Sequence, residues 1–542
     1  MRRIMPNVAM FLMLMMLMCS SAVSEASGNA NSSESKTIGN LSINTSSDPL
    51  RFPVDNYAEK NVTVNTSNGQ VEVNYRLYQN ITYVANPVDT DYQSMNVKIP
   101  IKIDGKDIDA TNAPILFVNS VGGYMSASNV NSGMRGAQSG NMSGFSPVGM
   151  NGAPPAGMEG IPPNGGMGGP GENNGISRNS DLALAAGYVV VEPGCRGRDN
   201  QAEDGTYYGK APAAIVDLKA AVRYIRHNDG IMPGNVNWIV STGVSAGGAL
   251  SALLGASGNS HLYDAYLKEI GAADEDDSIY ASADFCPITD LEHADMAYEW
   301  EFGTVAQGDR LVDQNLSQQL KNSFAEYQAS LDLQGQNGFG TITADNYGNY
   351  LVQTYLIPSA NKYLRALTDE KRKAYLANNT WITWSDTDNS AAFAFEDYVK
   401  HVGRMKGLPA FDAFDLSAAE NIEFGNETTN ARHFTNFSLR QTSGKPDAEI
   451  DDDLKTVVNL MNPMYFISQN CNGCAKHWWI RHGTSDSNTA LTVITNLATG
   501  LENKAKDVNI LLYWDAGHGA DEDPEDFIVW IGKITGYTAP LH

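Results

Sequence analysis

A mainly parallel α/β sheet, entered through antiparallel strands and interrupted by a helical insertion, is the architecture predicted by this 542-residue sequence. Three features carry that prediction. Between Asn61 and Ile101, apolar and polar residues alternate between Asn and Gly turns, as in antiparallel strands. From Ser180 to Gly255, short apolar runs alternate with amphipathic segments, as in strand–helix–strand crossovers. The same rhythm stops after Trp300 and resumes near Asn462. Hydrophobic residues at 42% supply a sizeable core, and 62 acidic against 37 basic residues give a net charge of −25. A chain this acidic repels phosphate backbones, so nucleic acid is excluded as a charge-selected partner.

Taken in order, residues 1–26 read as a secretory signal peptide. Met1-Arg2-Arg3 is the positive start, Val8 to Met18 is an apolar run of 11 residues, and small residues from Ser20 to Ala26 offer a cleavage site. That run is too short to span a bilayer, and no other stretch reaches 18 apolar residues, so no membrane span is expected. The expected location is secreted, with a periplasmic location or a lipid anchor on Cys19 as alternatives. Residues 27–55, rich in Ser and Asn, read as a flexible leader.

Residues 56–300 form the first part of the core. Val62–Val64, Val71–Leu77 and Met95–Ile101 alternate as half-buried strands, and Ala113–Asn119 is a continuous apolar run suited to a strand covered on both faces. Residues 125–175 break the pattern. They hold 14 Gly and 6 Pro in 51 positions, above the level that marks low complexity, so no fixed fold is expected there. The six methionines of this insert lack the close clustering that a soft-metal site needs. Then follow a helix (180–186), a strand (187–191), a helix (211–228), a strand (236–242) and a helix (247–255). Residues 301–461 read as a mainly helical inserted cap. Residues 462–542 complete the core with strands 477–481 and 508–514 around a helix from Asn488 to about Lys504.

The chemistry is predicted at three strand ends. Gly243-Val244-Ser245-Ala246-Gly247 follows a strand and opens a helix, the context of a nucleophile elbow, where glycines permit a tight turn that exposes the serine. A serine hydroxyl needs a base and the base needs an orienting acid. His518 follows the last strand and Asp486 the one before it, so both are expected on one sheet edge; Asp515 and His482 are the runner-up acid and base. The order Ser, Asp, His is that of the α/β-hydrolases. The oxyanion donors are expected to be the N–H of Ala246 and those of Gly122 and Gly123, which end an earlier strand. Cys471 and Cys474 read as a tight disulfide or two free thiols; a zinc site with His477 and His482 lacks a second ligand pair at the usual spacing. Asp274-Glu275-Asp276-Asp277 reads as a solvated acidic turn, without the alternation of an EF-type calcium loop.

Together with the serine motif, the block from Ser282-Ala283-Asp284-Phe285-Cys286-Pro287-Ile288-Thr289-Asp290 to Trp300 resembles the bacterial tannases and related feruloyl-esterase-like α/β-hydrolases. The resemblance spans most of the chain from about Asn56, apart from the insert. It implies hydrolysis of phenolic-acid esters such as gallates beneath an inserted cap, with no cofactor and a small aromatic ester as partner. In tannases a cap lysine, a cap glutamate and an aspartate two residues past the triad acid hold the galloyl hydroxyls. By similarity the first two fall on Lys406 and Glu420. The third falls on Asn488, whose amide hydrogen-bonds a phenol without being a carboxylate acceptor. Alternatives from the residues themselves are a feruloyl or general aryl esterase, a secreted serine peptidase, for which the N-terminus is too short to form a propeller, and a catalytically silent binding protein.

Overall fold

Alternation with period two builds the first strands, in a computed structural model that describes residues 48–129 and 175–538. The predicted signal peptide, leader residues 27–47 and insert residues 130–174 lie outside the described residues. Ala58–Thr66 (β1), Gly69–Thr82 (β2) and Ser94–Ile103 (β3) pair antiparallel, with Val62 opposite Val73, and Lys106–Asp107 (β4) folds back onto β3. Crossovers then follow: Ile115–Val118 (β5), Gly175–Ala185 (α1), Val189–Pro193 (β6), Ala213–His227 (α2), Ile239–Val244 (β7), Ala246–Ala256 (α3), Asp264–Glu269 (α4), Ala281–Phe285 (β8) and Leu291–Phe302 (α5).

The stretch beyond α5 is mainly helical: Gln314–Leu331 (α6), Tyr347–Leu351 (α7), Ile357–Ala366 (α8), Asp369–Asn378 (α9), Phe395–Val402 (α10), Ala419–Glu423 (α11), Asn436–Ser443 (α12) and Asp452–Leu460 (α13). Two small ribbons punctuate it, Gln334–Gly335 (β9) with Gly340–Thr341 (β10) and Thr383–Ser385 (β11) with Ser390–Ala392 (β12). The sheet resumes with Pro463–Ser468 (α14), His477–Gly483 (β13), Leu491–Asn503 (α15), Asp507–Tyr513 (β14) and Pro524–Thr535 (α16). No helix among the described residues is long and apolar enough to cross a membrane.

Strand order is β1-β2-β3-β6-β5-β7-β8-β13-β14, antiparallel as far as β6 and parallel from there. Side-chain alternation splits the interior between two faces. Val190, Val240 and Trp479 pack toward α1 and α16, while Val189, Ile239 and Ile480 pack toward α2, α3 and α15. The parallel strands therefore end on one edge, where βα connections collect functional groups.

Parts of the two segments read as unstructured are packed: Leu50 and Phe52 of the leader are buried in the core, and Ala127 of the insert pairs with Cys195. Three further features depart from the sequence reading. Residues 281–285, which carry no strand signal because Ala, Ser and Asp dominate, form the central strand β8 between β7 and β13. Small side chains suit that place: a Cβ on Gly255 of α3 would sit 2.9 Å from Ser282 Cβ, so the helix lies close on the strand. The second is the terminal helix α16, absent from the sequence expectation, which covers Trp479 and Phe285. The third correction concerns the acidic turn. Asp274, Glu275 and Asp276 are exposed, but Asp277 is buried, pairing through Oδ1 with Lys219 Nζ at 2.8 Å and through Oδ2 with Arg223 at 2.8 Å. Burial raises its carboxyl, yet the two cations outweigh that and hold it below its ordinary value. Lys219 also donates to Ser257 O at 2.7 Å, so the network ties α2 to the end of α3. Asp277→Asn, which strands a buried ammonium, is expected to cost about 3–5 kcal/mol in denaturant unfolding; a loss under about 1 kcal/mol would show the network to be dispensable.

Candidate active site

Ser245 sits between β7 and α3 with φ 60° and ψ −122°, a strained conformation held by its N–H donating to Phe285 O at 2.9 Å. The flanking glycines are sterically required. A Cβ on Gly243 would lie 2.4 Å from Gly247 O, and one on Gly247 would lie 2.7 Å from Val121 O. The serine is thus half-exposed at the N-terminus of an otherwise buried helix.

Asp486 and His518 emerge after β13 and β14 and meet. His518 Nδ1 lies 2.7 Å from Asp486 Oδ2, and the other carboxylate oxygen accepts the N–H of Asn488 at 3.0 Å and its side-chain amide at 2.9 Å. Burial pushes the Asp486 carboxyl up, but His482, His518 and Asn488 together outweigh it and hold the group well below the usual carboxylate range. An ionised carboxylate only accepts, so Nδ1 of His518 must carry the hydrogen and Nε2 the lone pair. Gly519 N–H donates to Cys286 Sγ at 3.2 Å, and a Cβ on Gly519 would stand 3.6 Å from Val244 Cγ1, so the histidine loop rests on the elbow.

The runner-ups are placed elsewhere. Asp515 binds His401 at 3.0 Å and accepts from Tyr375, both in the 301–461 stretch. His482 is fully buried behind Asp486, 3.6 Å from its Oδ2, with neither ring nitrogen hydrogen-bonded among the described residues. Cys471 and Cys474 are bonded to each other, which removes both as thiolate ligands.

Beside the elbow, the loop after β5 presents Gly122 and Gly123. Among the described residues, neither their N–H groups nor that of Ala246 donates to the protein. Asn119, which sequence reasoning passed over, holds this loop to the elbow. Its buried amide donates to Gly247 O at 2.8 Å and Ser251 Oγ at 2.9 Å while its oxygen faces Val121 N–H at 3.3 Å. The one available signal was a polar residue closing an apolar strand.

Lys406 feels the charges of Glu420 and Asp486, and Asn488 is hydrogen-bonded to Asp486 at 2.9 Å. The Lys406 ammonium stands 3.6 Å over the Phe411 ring; burial lowers its pKa against the opposing charges of Glu420, Asp295 and Asp486. Helix α5 does the positioning; in the sequence its residues stand out only as part of the block that resembles the tannases. Tyr298 Oη accepts the N–H groups of Met405 (3.2 Å) and Lys406 (3.0 Å) and donates to Ser487 O at 2.9 Å, joining the lysine loop to the aspartate loop. Asp295 accepts the N–H groups of Phe411 (2.7 Å) and Asp412 (3.1 Å), and Glu299 pairs with the buried Arg404. Among the described residues, one group has metal-ligand spacing: Cys286, His482 and Asp486, whose donor atoms all lie within 4.8 Å of one another.

Comparison with known proteins bears on this arrangement. The family model for BD-FAE matches residues 172–329. The tannase of Fusobacterium nucleatum is 36% identical, with a TM-score of 0.71 over 90% of this chain and 99% of that one. The native tannin acyl hydrolase of Lactobacillus plantarum is 32% identical, with a TM-score of 0.72 over 90% and 99%. Tannin acyl hydrolase structures in complex with 3,4-dihydroxybenzoate and with ethyl gallate match to the same extent. No curated protein sequence matches the chain.

Proposed function

The chain belongs to the tannase family and is a carboxylic-ester hydrolase of α/β-hydrolase fold, and from that premise we propose that it cleaves esters of phenolic acids such as gallate through an acyl-enzyme on Ser245. The observation that carries the reading is the 2.7 Å Asp486–His518 contact on the same sheet edge as the Ser245 elbow. In the proposed sequence His518 Nε2 takes the Ser245 proton as Oγ attacks the ester carbonyl. Asp486 holds the imidazole tautomer and stabilises the imidazolium. The oxyanion rests on the N–H groups of Ala246 and of Gly122 or Gly123. His518 then protonates the leaving alcohol, and water attacks the acyl group by the reverse route. No step calls on a cofactor.

We assign residues 301–461 as the cap and place the acyl ring against Lys406, Glu420 and Asn488. The supporting observations are the electrostatic influence of Glu420 and Asp486 on Lys406, the Asn488–Asp486 hydrogen bond, and the dihydroxybenzoate and gallate ligands of the neighbours. Secretion rests on residues 1–26; exported chain whose mass still includes them would refute the signal peptide. The feruloyl or general aryl reading is favoured by the BD-FAE match and by Asn488 in place of an acidic residue.

A panel of methyl gallate, methyl ferulate and p-nitrophenyl acetate separates the two. Lys406→Met is expected to lower kcat/KM roughly tenfold or more for the hydroxylated acyl groups and to spare p-nitrophenyl acetate, which uses only the elbow, base and oxyanion donors. Asn488→Asp replaces a donor to Asp486 by a like charge, so every ester should slow. That common loss cancels in the ratio of gallate to p-nitrophenyl acetate, which should rise because a charge-assisted bond to a phenol is about twice as strong. Equal effects on all three esters would place these residues outside the acyl pocket.

A further inference from the structure

Two buried groups behind the Asp486–His518 pair have no part in the proposed ester chemistry. His482 has no exposure, and neither of its nitrogens makes a hydrogen bond within normal geometry among the described residues, an arrangement native interiors rarely tolerate without an occupant. Cys286, the first residue after β8, takes positive φ (44°) and buries its sulfur beside them. The separation of His482 Nδ1 from Asp486 Oδ2, 3.6 Å, exceeds hydrogen-bond range. It is close to the roughly 3.4 Å between two nitrogen or oxygen ligands on a tetrahedral ion of zinc size.

We propose that Cys286, His482 and Asp486 form a buried inhibitory site for a divalent cation that accepts mixed sulfur, nitrogen and oxygen donors, such as Zn2+. One soft and two borderline or hard donors suit that class and not Ca2+ or Mg2+, which take oxygen alone. Binding replaces the thiol proton, which leaves to solvent, by a metal–sulfur bond. It also draws Asp486 Oδ2, the oxygen that holds His518, into coordination. Asp486 is buried and its Oδ2 is held by His518, about a quarter of whose side chain is exposed, so in the proposed site the ion takes the histidine's place on this oxygen and turnover stops. A water on His482 is the competing occupant.

Binding stands independently of the proposed triad; only the inhibition rests on it. Zn2+ titrated calorimetrically into the full chain is expected to bind once, and Co2+ in its place should give a thiolate charge-transfer absorbance. Cys286→Ser should abolish that band, and Cys286→Ser and His482→Gln should each weaken Zn2+ binding at least tenfold. Ser245→Ala and Cys195→Ser should bind as the unaltered chain does. Ester turnover should fall in step with occupancy and return on adding EDTA. Absence of binding, equal affinity with and without Cys286, or full occupancy with undiminished turnover would overturn the proposal. A metal-free chain with no esterase activity would instead sink the functional reading, with the binding measurements still decisive for this site.

Discussion

Ser245→Ala is expected to lower methyl gallate turnover by roughly 10⁶-fold, to the residual level left by binding and the oxyanion donors. No other hydroxyl occupies the turn between β7 and α3, and the strained backbone there leaves no neighbour able to take the serine's place. The fold should be unaffected. The positive φ at this position is unfavourable for serine and alanine alike, and the turn is held by main-chain and glycine geometry, so the change in stability should stay within about 0.5 kcal/mol. Labelling by a fluorophosphonate should vanish with the activity. Retained turnover in a folded Ser245→Ala protein would remove the acyl-enzyme mechanism altogether.

Asp486→Asn should cost about 10⁴ in kcat. A neutral amide can present its NH2 to His518 Nδ1 and so favour the tautomer that has its hydrogen on Nε2, where no proton can be accepted from serine. The same substitution has a signature in stability. Because the folded-state pKa of Asp486 is depressed, its ionised form contributes stability that is fully present above the unfolded-state value near 4. That contribution is lost as pH falls from there toward the lower folded-state value. The variant should therefore show a shallower loss of stability on acidification than the unaltered chain. Measuring Tm from pH 7 down to pH 3 tests this, and identical acid limbs in the two proteins would mean that His482, His518 and Asn488 do not favour the carboxylate.

Legibility in the sequence followed the range of the interactions involved. The elbow is readable because its requirements are local: a strand ends, glycines stand where Gly247 O and Val121 O leave no room for a Cβ, and a helix begins. Asp486 and His518 could be singled out because each directly follows an apolar strand run, and one crossover separates them. Asn119 and Tyr298 carried no comparable mark. Each matters through partners far along the chain, Gly247 and Ser251 for the first, Lys406 and Ser487 for the second.

By itself the sequence determined the α/β alternation, the antiparallel entry and the residues that stand at the strand ends, since periods of 2 and 3.6 and turn chemistry are properties of neighbouring residues. Tertiary structure alone decided that Ala281–Phe285 is a strand, because its small side chains are selected by the close approach of α3 and not by strand propensity. It decided likewise that Asp277 is buried among cations while its neighbours are solvated, and that Asn488 spends its amide on Asp486. Burial and long-range pairing set those outcomes, and both exist only once distant segments have packed.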